Sequence, residues 1–114
     1  MEGMIQELFS YECGLHKDSR GFLCFFEQWP IHSFHLGSMQ PGAVRGNHTH
    51  VADEIICILG AAGNCRVELN DESSGRRLEL TVEDDPALYR VKAGIRHTLT
   101  NTGEQTFYLV SFLA

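Results

Sequence analysis

The residues best suited to chemistry are three histidines and a carboxylate in two short segments: His48, His50, Glu54 and His97. Side chains at even spacings on a strand share one face, so the first three can converge if the strand keeps its register. His97 is the best candidate for a fourth ligand and has to come from across a barrel. Imidazole and carboxylate ligands suit Zn, Fe, Mn, Ni and Co about equally. The sequence therefore predicts a site for one divalent metal ion; the alternatives are a metal-free site and a set of hydrogen-bonded polar residues.

The chain around these residues is a series of short strands separated by turn residues. Apolar and polar side chains alternate at 65–69 and 78–82, on either side of a polar turn at 70–75. Segments 55–59 and 106–113 are apolar on both faces, which is typical of strands between two layers or at a subunit interface. Further strands are predicted at four places: 4–9, 22–27, 33–39 and 88–92. No segment has helical periodicity, so we expect an all-β fold, a sandwich or a small jelly-roll β-barrel. Because a small barrel has only one inside, the two-sided apolar strands also predict a homodimer.

The composition is that of one small globular domain spanning residues 1–114. Of the 114 residues, 43% are hydrophobic and 21% are charged, which is ordinary for a folded domain. No apolar run approaches the roughly 20 residues of a membrane helix, and the N-terminus lacks a signal-peptide pattern. The four cysteines show no Cys-x-x-Cys spacing, so we expect reduced, mostly buried thiols in a cytoplasmic protein that enters no membrane. The net charge of -6 argues against nonspecific binding to nucleic acid.

The two ligand segments resemble the paired motifs of the cupin superfamily. The first motif is Gly, five residues, His-x-His, three or four residues, Glu, six residues and Gly. This sequence matches it, with five residues before the last glycine, at these positions: Gly42, His48, His50, Glu54 and Gly60. The second motif is Gly, five residues, Pro-x-Gly, two residues, His, three residues and Asn. Gly94, His97 and Asn101 match it, whereas Lys92 replaces the proline and Pro86 replaces the first glycine.

The cupin resemblance covers roughly residues 35 to 112. It implies a single cupin domain, a double-stranded β-helix, with a metal ion held at its mouth by the four ligand residues. Paired motifs at this separation are far more specific than either motif alone.

A narrower resemblance involves two further segments, Asp18-Ser19-Arg20-Gly21 and Arg45-Gly46-Asn47-His48. They are similar to segments of the sugar-nucleotide cupins: deoxysugar 3,4-ketoisomerases, 3,5-epimerases of rhamnose synthesis and the cupin domain of capsule-synthesis reductases. This resemblance implies that His48 is the general base and that His50 is a second acid/base or a metal ligand. It also makes Arg20 and Arg45 candidates for the nucleotide phosphates, although a surface charge or structural salt bridge is an equal alternative for each.

Cations are concentrated near the two motifs despite the acidic total charge. Four of the nine Lys and Arg residues lie within or beside the motifs: Arg45, Arg90, Lys92 and Arg96. Local positive charge of this kind suits a diphosphate, so Arg96 joins Arg20 and Arg45 as a candidate substrate-binding residue. The expected partner is a small-molecule substrate, with a sugar nucleotide as one candidate.

The residue types fit proton transfer next to a carbonyl. Histidine titrates near neutral pH, and a metal polarises a carbonyl as a Lewis acid. A metal-bound His48 cannot also be the base, so Tyr89, Tyr108 or a metal-bound hydroxide then takes that role. Three classes stay open: a metal-dependent isomerase or epimerase of a small carbohydrate or sugar nucleotide, an Fe-dependent dioxygenase, and a noncatalytic sugar-binding cupin.

Overall fold

The computed structural model describes residues 3–114, and nearly all of its regular structure is antiparallel strand. In chain order the elements are β1 (Ile5–Glu7), α1 (Ser10–Cys13), β2 (His16–Asp18), β3 (Gly21–Leu23), β4 (His32–Met39), β5 (Val44–His48), β6 (Glu54–Leu59), β7 (Cys65–Asp71), β8 (Arg76–Thr81), β9 (Ala87–Val91), β10 (Arg96–Asn101) and β11 (Phe107–Leu113). A five-stranded sheet has the order β1-β9-β6-β11-β4, and a four-stranded sheet has the order β5-β10-β7-β8. Among residues 3–114 no helix has the length and hydropathy of a membrane span.

The two larger sheets pack face to face around the main hydrophobic core. Their inner faces come from alternate residues of each strand, for example Val67 and Leu69 on β7 and Ile56 and Ile58 on β6. The crossovers between the sheets give a jelly roll, which confirms the predicted all-β fold. The predicted turn at 70–75 is also confirmed, since β7 and β8 pair as a hairpin around it.

β6 is apolar on both sides because it lies between two cores, as predicted for a strand between layers. Ile56 and Ile58 face the main core, whereas Ile55 and Cys57 face a second apolar cluster. That cluster is covered by the N-terminal part of the same chain, including Trp29, whose indole nitrogen donates to the Glu12 carbonyl oxygen at 2.9 Å. The chain itself therefore buries the outer side of β6.

The N-terminal region differs from the prediction. The strands predicted at 4–9 and 22–27 are only three residues long, at β1 and β3, and α1 forms where no helix was expected. Four residues are too few to produce a helical period in the sequence. The helix depends instead on local capping, since the Glu12 carboxylate accepts a hydrogen bond from the Phe9 amide at 2.7 Å and Gly14 ends it in the left-handed conformation.

The asparagine of the second motif ties the two sheets together below the site. Asn101 is almost fully buried, and its side-chain nitrogen donates to the carbonyl oxygens of Met39 at 2.9 Å and Gln105 at 2.8 Å. Its side-chain oxygen accepts from the Gly103 amide at 2.9 Å. The end of β10, in one sheet, is thereby fixed to the end of β4, in the other.

Candidate metal centre and its cavity

The four predicted ligands lie together at one end of the space between the sheets. Each of them offers one ligand atom, and these four atoms all lie within 4.8 Å of one another: they belong to His48, His50, Glu54 and His97. The Glu54 Oε1 atom is 2.6 Å from His97 Nε2 and 3.3 Å from His50 Nε2. Two sheets and one loop contribute these atoms, and they can hold a single metal ion.

A β-bulge aims His48 into this space. On β5, Arg45 pairs with Leu99 and Gly46 pairs with Thr98, but the next pair is His48 with His97, so Asn47 is left over. In an unbroken strand Arg45 and His48, three residues apart, point to opposite faces. The extra residue restores His48 to the inner face, so that both side chains reach the cavity. The bulge has positive φ at Gly46 (+95°) and Asn47 (+62°), and glycine and asparagine tolerate such angles best.

Gly46 also permits a close approach of β5 to β10. A Cβ atom at this position would lie 2.6 Å from the carbonyl oxygen of His97. The absence of a side chain at Gly46 therefore positions the backbone of a candidate ligand.

His50 and Glu54 reach the site in a different way from the prediction. His50 follows the end of β5 in a loop, and Glu54 is the first residue of β6, so no continuous strand carries both. The His50 carbonyl oxygen accepts from the Gly94 amide at 2.9 Å, and Asp53 accepts from the Ala93 amide at 2.9 Å. These bonds join the loop of the first motif to the turn that precedes His97.

The charges and hydrogen bonds of the cluster fit a divalent cation. His97 Nδ1 lies 3.2 Å from the Ile95 carbonyl oxygen, which only accepts, so Nδ1 carries the proton and Nε2 is free to be a ligand. Glu54 Oε1 is buried and has no hydrogen-bond partner among residues 3–114. His97 Nε2 and Glu54 Oε1 lie 2.6 Å apart, and both are ligand atoms that one bound cation can share.

The ionisation of the ligands agrees with metal binding. Burial by itself raises the pKa of Glu54, but His97, His50 and Ser111 together hold that pKa below its usual value. Burial and the neighbouring imidazoles of His97 and His50 lower the pKa of His48. A carboxylate and neutral imidazoles are the forms that coordinate metals.

The ligands line a cavity of about 420 Å³ between the sheets. Its apolar wall includes Ile56, Leu99 and Leu109, and its polar groups besides the ligands include Arg45. A cavity of this size that combines an apolar wall with a few convergent polar groups is typical of a small-molecule site.

Arg45 is the one candidate phosphate-binding arginine that lies at this cavity. Its Nε atom donates to the Ser38 carbonyl oxygen at 3.0 Å, which links β5 to β4 across the edges of the two sheets. No ion pair involves Arg45 within residues 3–114. The guanidinium is held in place at the cavity without a carboxylate to neutralise it.

The other predicted cations lie elsewhere. Arg20 is at the tip of the β2–β3 hairpin and pairs with Asp18 at 2.6 Å. Arg96 points to the outer face of β10, where it donates to Glu72 at 2.8 Å and to the Asn47 carbonyl oxygen at 2.7 Å. Arg20 and Arg96, the other two candidate substrate-binding residues, therefore do not line this cavity.

Two more of the cations near the motifs are paired with a carboxylate. Arg90 and Lys92 lie 3.4 Å and 3.8 Å from Asp53 Oδ2. Of the four cations concentrated there, only Arg45 lines the cavity.

Neither tyrosine proposed as an alternative base reaches the cavity. Tyr108 is 56% exposed on the outer face of β11, because its neighbour Leu109 takes the inner position. Tyr89 is buried in the main core away from the ligands, and burial raises its pKa to about 12. Tyr108, which the sequence analysis made a candidate catalytic residue, therefore does not line the cavity.

Two polar residues of the cavity had no role in the sequence prediction. Ser111 lies on the inner face of β11 and lines the cavity together with Glu54. His35 lies on the inner face of β4, paired with Ser111. Alternation along β4 and β11 is the signal that could have found them, because His35 is in phase with Met39, and Ser111 with Phe107 and Leu109.

The fold is shared with solved structures that include a dTDP sugar isomerase, a sugar 3,4-ketoisomerase and a capsular polysaccharide assembling protein. A dTDP sugar isomerase from Desulfovibrio desulfuricans G20 matches 97% of this chain and 76% of its own at 16% identity and a TM-score of 0.71. A second match is QdtA, a sugar 3,4-ketoisomerase from Thermoanaerobacterium thermosaccharolyticum in complex with TDP. It covers 97% of this chain and 82% of QdtA, at 13% identity and a TM-score of 0.69. The capsular polysaccharide assembling protein CapF from Staphylococcus aureus matches at 20% identity and a TM-score of 0.60. This match covers 87% of this chain but only 28% of CapF.

The sequence matches no protein-family model, and no curated protein matches it at a significant level. The structural likenesses confirm the predicted jelly-roll fold. At these identities they establish the fold alone.

Proposed function

We propose that this protein is a metal-dependent isomerase or epimerase that moves a proton next to the carbonyl of a keto sugar, with a sugar nucleotide as the substrate. The observation that carries the proposal is the cluster of His48, His50, Glu54 and His97 at an open cavity that also contains Arg45. The likeness to a dTDP sugar isomerase and to a 3,4-ketoisomerase bound to TDP supports the same substrate class.

Different residues of the cavity bind the metal and the substrate. The four-residue cluster holds a divalent ion, which when bound polarises the sugar carbonyl as a Lewis acid. Arg45 binds the diphosphate through the planar fork of its guanidinium, which suits bidentate phosphate recognition. The apolar wall of Ile56, Leu99 and Leu109 packs against the sugar and excludes water from it.

The test combines metal analysis with proton exchange. Protein from its own host is analysed for bound metal and then incubated in D2O with a panel of TDP-4-keto-6-deoxy sugars and the free sugars. Deuterium incorporation next to the carbonyl, recorded by NMR, is the expected result. Oxygen uptake with bound Fe and no exchange would favour a dioxygenase, and tight binding without turnover would favour a sugar-binding cupin.

The role of Arg45 is tested separately by calorimetry with TDP. We expect Arg45→Ala to lose most of the affinity and Arg45→Lys to be weaker than wild type. Arg66→Ala is the control, because Arg66 lies on β7 paired with Glu68 at 2.8 Å and does not line the cavity. Unchanged TDP binding by Arg45→Ala would remove the nucleotide from the proposal.

We further propose that the protein is a homodimer in the cytoplasm. Phe34, Leu36 and Tyr108 form an exposed apolar patch on the outer face of β4 and β11, with exposures of 60%, 75% and 56%. None of them is charged, so two copies related by twofold symmetry can meet there without repulsion. Light scattering should show a dimer that Leu36→Asp dissociates, whereas Tyr11→Asp, at an exposed position on α1, should leave the dimer intact.

The four free cysteines are consistent with a reducing compartment such as the cytoplasm.

A further inference from the structure

We propose that His35 is the catalytic residue that carries the proton in this reaction, acting from the wall of the cavity beside the metal ligands. The inference rests on the proposed isomerase function and adds a residue to it. It also resolves the conflict that arises when one histidine has to be both a metal ligand and a base.

The position of His35 follows from the register of three strands. Ser111 on β11 pairs with His35 on β4 and with Ile56 on β6, so these three side chains share the inner face of the sheet. Ser111 lines the cavity together with the ligand Glu54. Directly opposite residues have Cβ atoms about 4.5–5.5 Å apart, which puts His35 next to Ser111 on the cavity wall.

The distance across the sheet leaves room for a substrate. Neighbouring strands are about 4.8 Å apart, so β4 lies about 10 Å from β6 with β11 between them. His35 is outside the group of mutually close ligand atoms but lines the same cavity. A sugar placed against the metal therefore presents its far side to the His35 ring.

The other side chains at the cavity supply no free base. A histidine whose ring nitrogen coordinates the metal has no lone pair left on that atom, and the other nitrogen of His97 is held by the Ile95 carbonyl oxygen. Arg45 stays protonated and is not a base. Of the described side chains that line the cavity, His35 is the titratable group left once the metal ligands and Arg45 are assigned.

The proton transfer balances without any oxidant or reductant. The neutral ring of His35 takes the proton from the hydroxyl-bearing carbon next to the carbonyl. The C–H electron pair becomes the C=C bond, and the carbonyl oxygen takes the negative charge of an enediolate. The hydroxyl proton then passes to that oxygen, the second oxygen forms the new carbonyl, and the His35 imidazolium returns its proton to the former carbonyl carbon.

The test compares His35→Asn with His32→Asn in the metal-loaded protein. His32 is an exposed histidine on the same strand that does not line the cavity, so it is a matched control. We expect His35→Asn to slow deuterium exchange into the keto sugar by about 100- to 10,000-fold, as is usual for loss of a general base. Metal content and TDP affinity should match wild type, and added imidazole should partly rescue His35→Ala.

The outcomes separate this proposal from the proposed function. Exchange by His35→Asn at the wild-type rate would overturn the role of His35 and leave the isomerase intact. Loss of metal from His35→Asn, or an equal loss of exchange in His32→Asn, would also overturn it. No exchange by the wild-type, metal-loaded protein with any sugar would instead overturn the proposed function, and the role of His35 with it.

Discussion

Replacing Gly46 by alanine should damage both the stability of the protein and its metal site. The new Cβ would lie 2.6 Å from the His97 carbonyl oxygen, about 0.8 Å short of ordinary contact at 3.4 Å. The neighbouring atom is backbone, so β5 and β10 have to move apart. A ligand residue is then displaced by more than the roughly 0.5 Å that a preorganised site tolerates.

The expected cost has two parts that a control separates. A residue with a Cβ in the left-handed region costs roughly 1–2 kcal/mol, and overpacking adds roughly 1–3 kcal/mol. Gly75, in the β7–β8 turn, has φ +75°, and a Cβ added there would have no atom within 4 Å, so Gly75→Ala has the conformational cost without the clash. We expect the free energy of unfolding to fall by about 1–2 kcal/mol in Gly75→Ala and about 2–5 kcal/mol in Gly46→Ala.

Urea denaturation in the presence of a chelator measures these costs for the metal-free proteins, and competition with a chromophoric chelator measures their affinity for Zn. Gly46→Ala should bind Zn at least about 10-fold more weakly than Gly75→Ala, the lower end of the effect of disturbing ligand support. Equal stability and equal Zn affinity in the two variants would refute the argument that Gly46 positions His97.

Three further results are expected. Asn101→Ala should lower the free energy of unfolding by about 2–4 kcal/mol in urea denaturation, because it removes the hydrogen bonds to the buried Met39 carbonyl oxygen and the partly buried Gln105 carbonyl oxygen. An unchanged midpoint would contradict the role given to this amide. Glu54→Gln should bind Zn at least about 10-fold more weakly than wild type in calorimetry, because a neutral amide replaces a charged ligand oxygen. Unchanged Zn affinity would argue against Glu54 as a ligand. Cys24 should react slowly with a thiol reagent at pH 7.5 and faster as the pH rises, because burial raises its pKa to about 11. Rapid labelling of Cys24 in the folded protein at neutral pH would argue against this burial.

The sequence was most informative where hydrophobic pattern and motif spacing agreed. The alternation at 65–69 and 78–82 predicted the β7–β8 hairpin, and the two-sided apolar pattern at 55–59 predicted a strand between layers. The second layer is formed by the chain's own N-terminal part, which contributes short elements and single side chains such as Trp29. That cover has no periodicity, so the pattern alone could not show which surface it would occupy.

The four predicted ligand residues lie together, but for a reason that differs from the predicted geometry. Even spacing suggested one strand for His48, His50 and Glu54, but a bulge, a loop and a new strand carry them. The alternation of side chains along a strand also fails for Arg45 and His48. The bulge at Asn47 places both side chains on the same face, although they are three residues apart. Backbone angles such as the positive φ at Asn47 are set by the approach of β5 to β10, which a linear pattern does not contain.

His35 illustrates the opposite limit. Alternation along β4 puts His35 in phase with the buried Met39, but only the pairing of β4 with β11 places it beside Ser111. Pairing between strands this far apart in the sequence depends on the whole topology of the sheet.

Asp53 has a consequence for how the site responds to its ion. Its carboxylate accepts a hydrogen bond from the Ala93 amide and lies close to Arg90 and Lys92, while the neighbouring His50 carbonyl accepts from Gly94. The two loops that flank the ligands are therefore joined to each other by the protein before any cation arrives. Their ordering entropy is lost during folding rather than during coordination, so metal uptake should be a rapid, chelate-like event with little change in heat capacity.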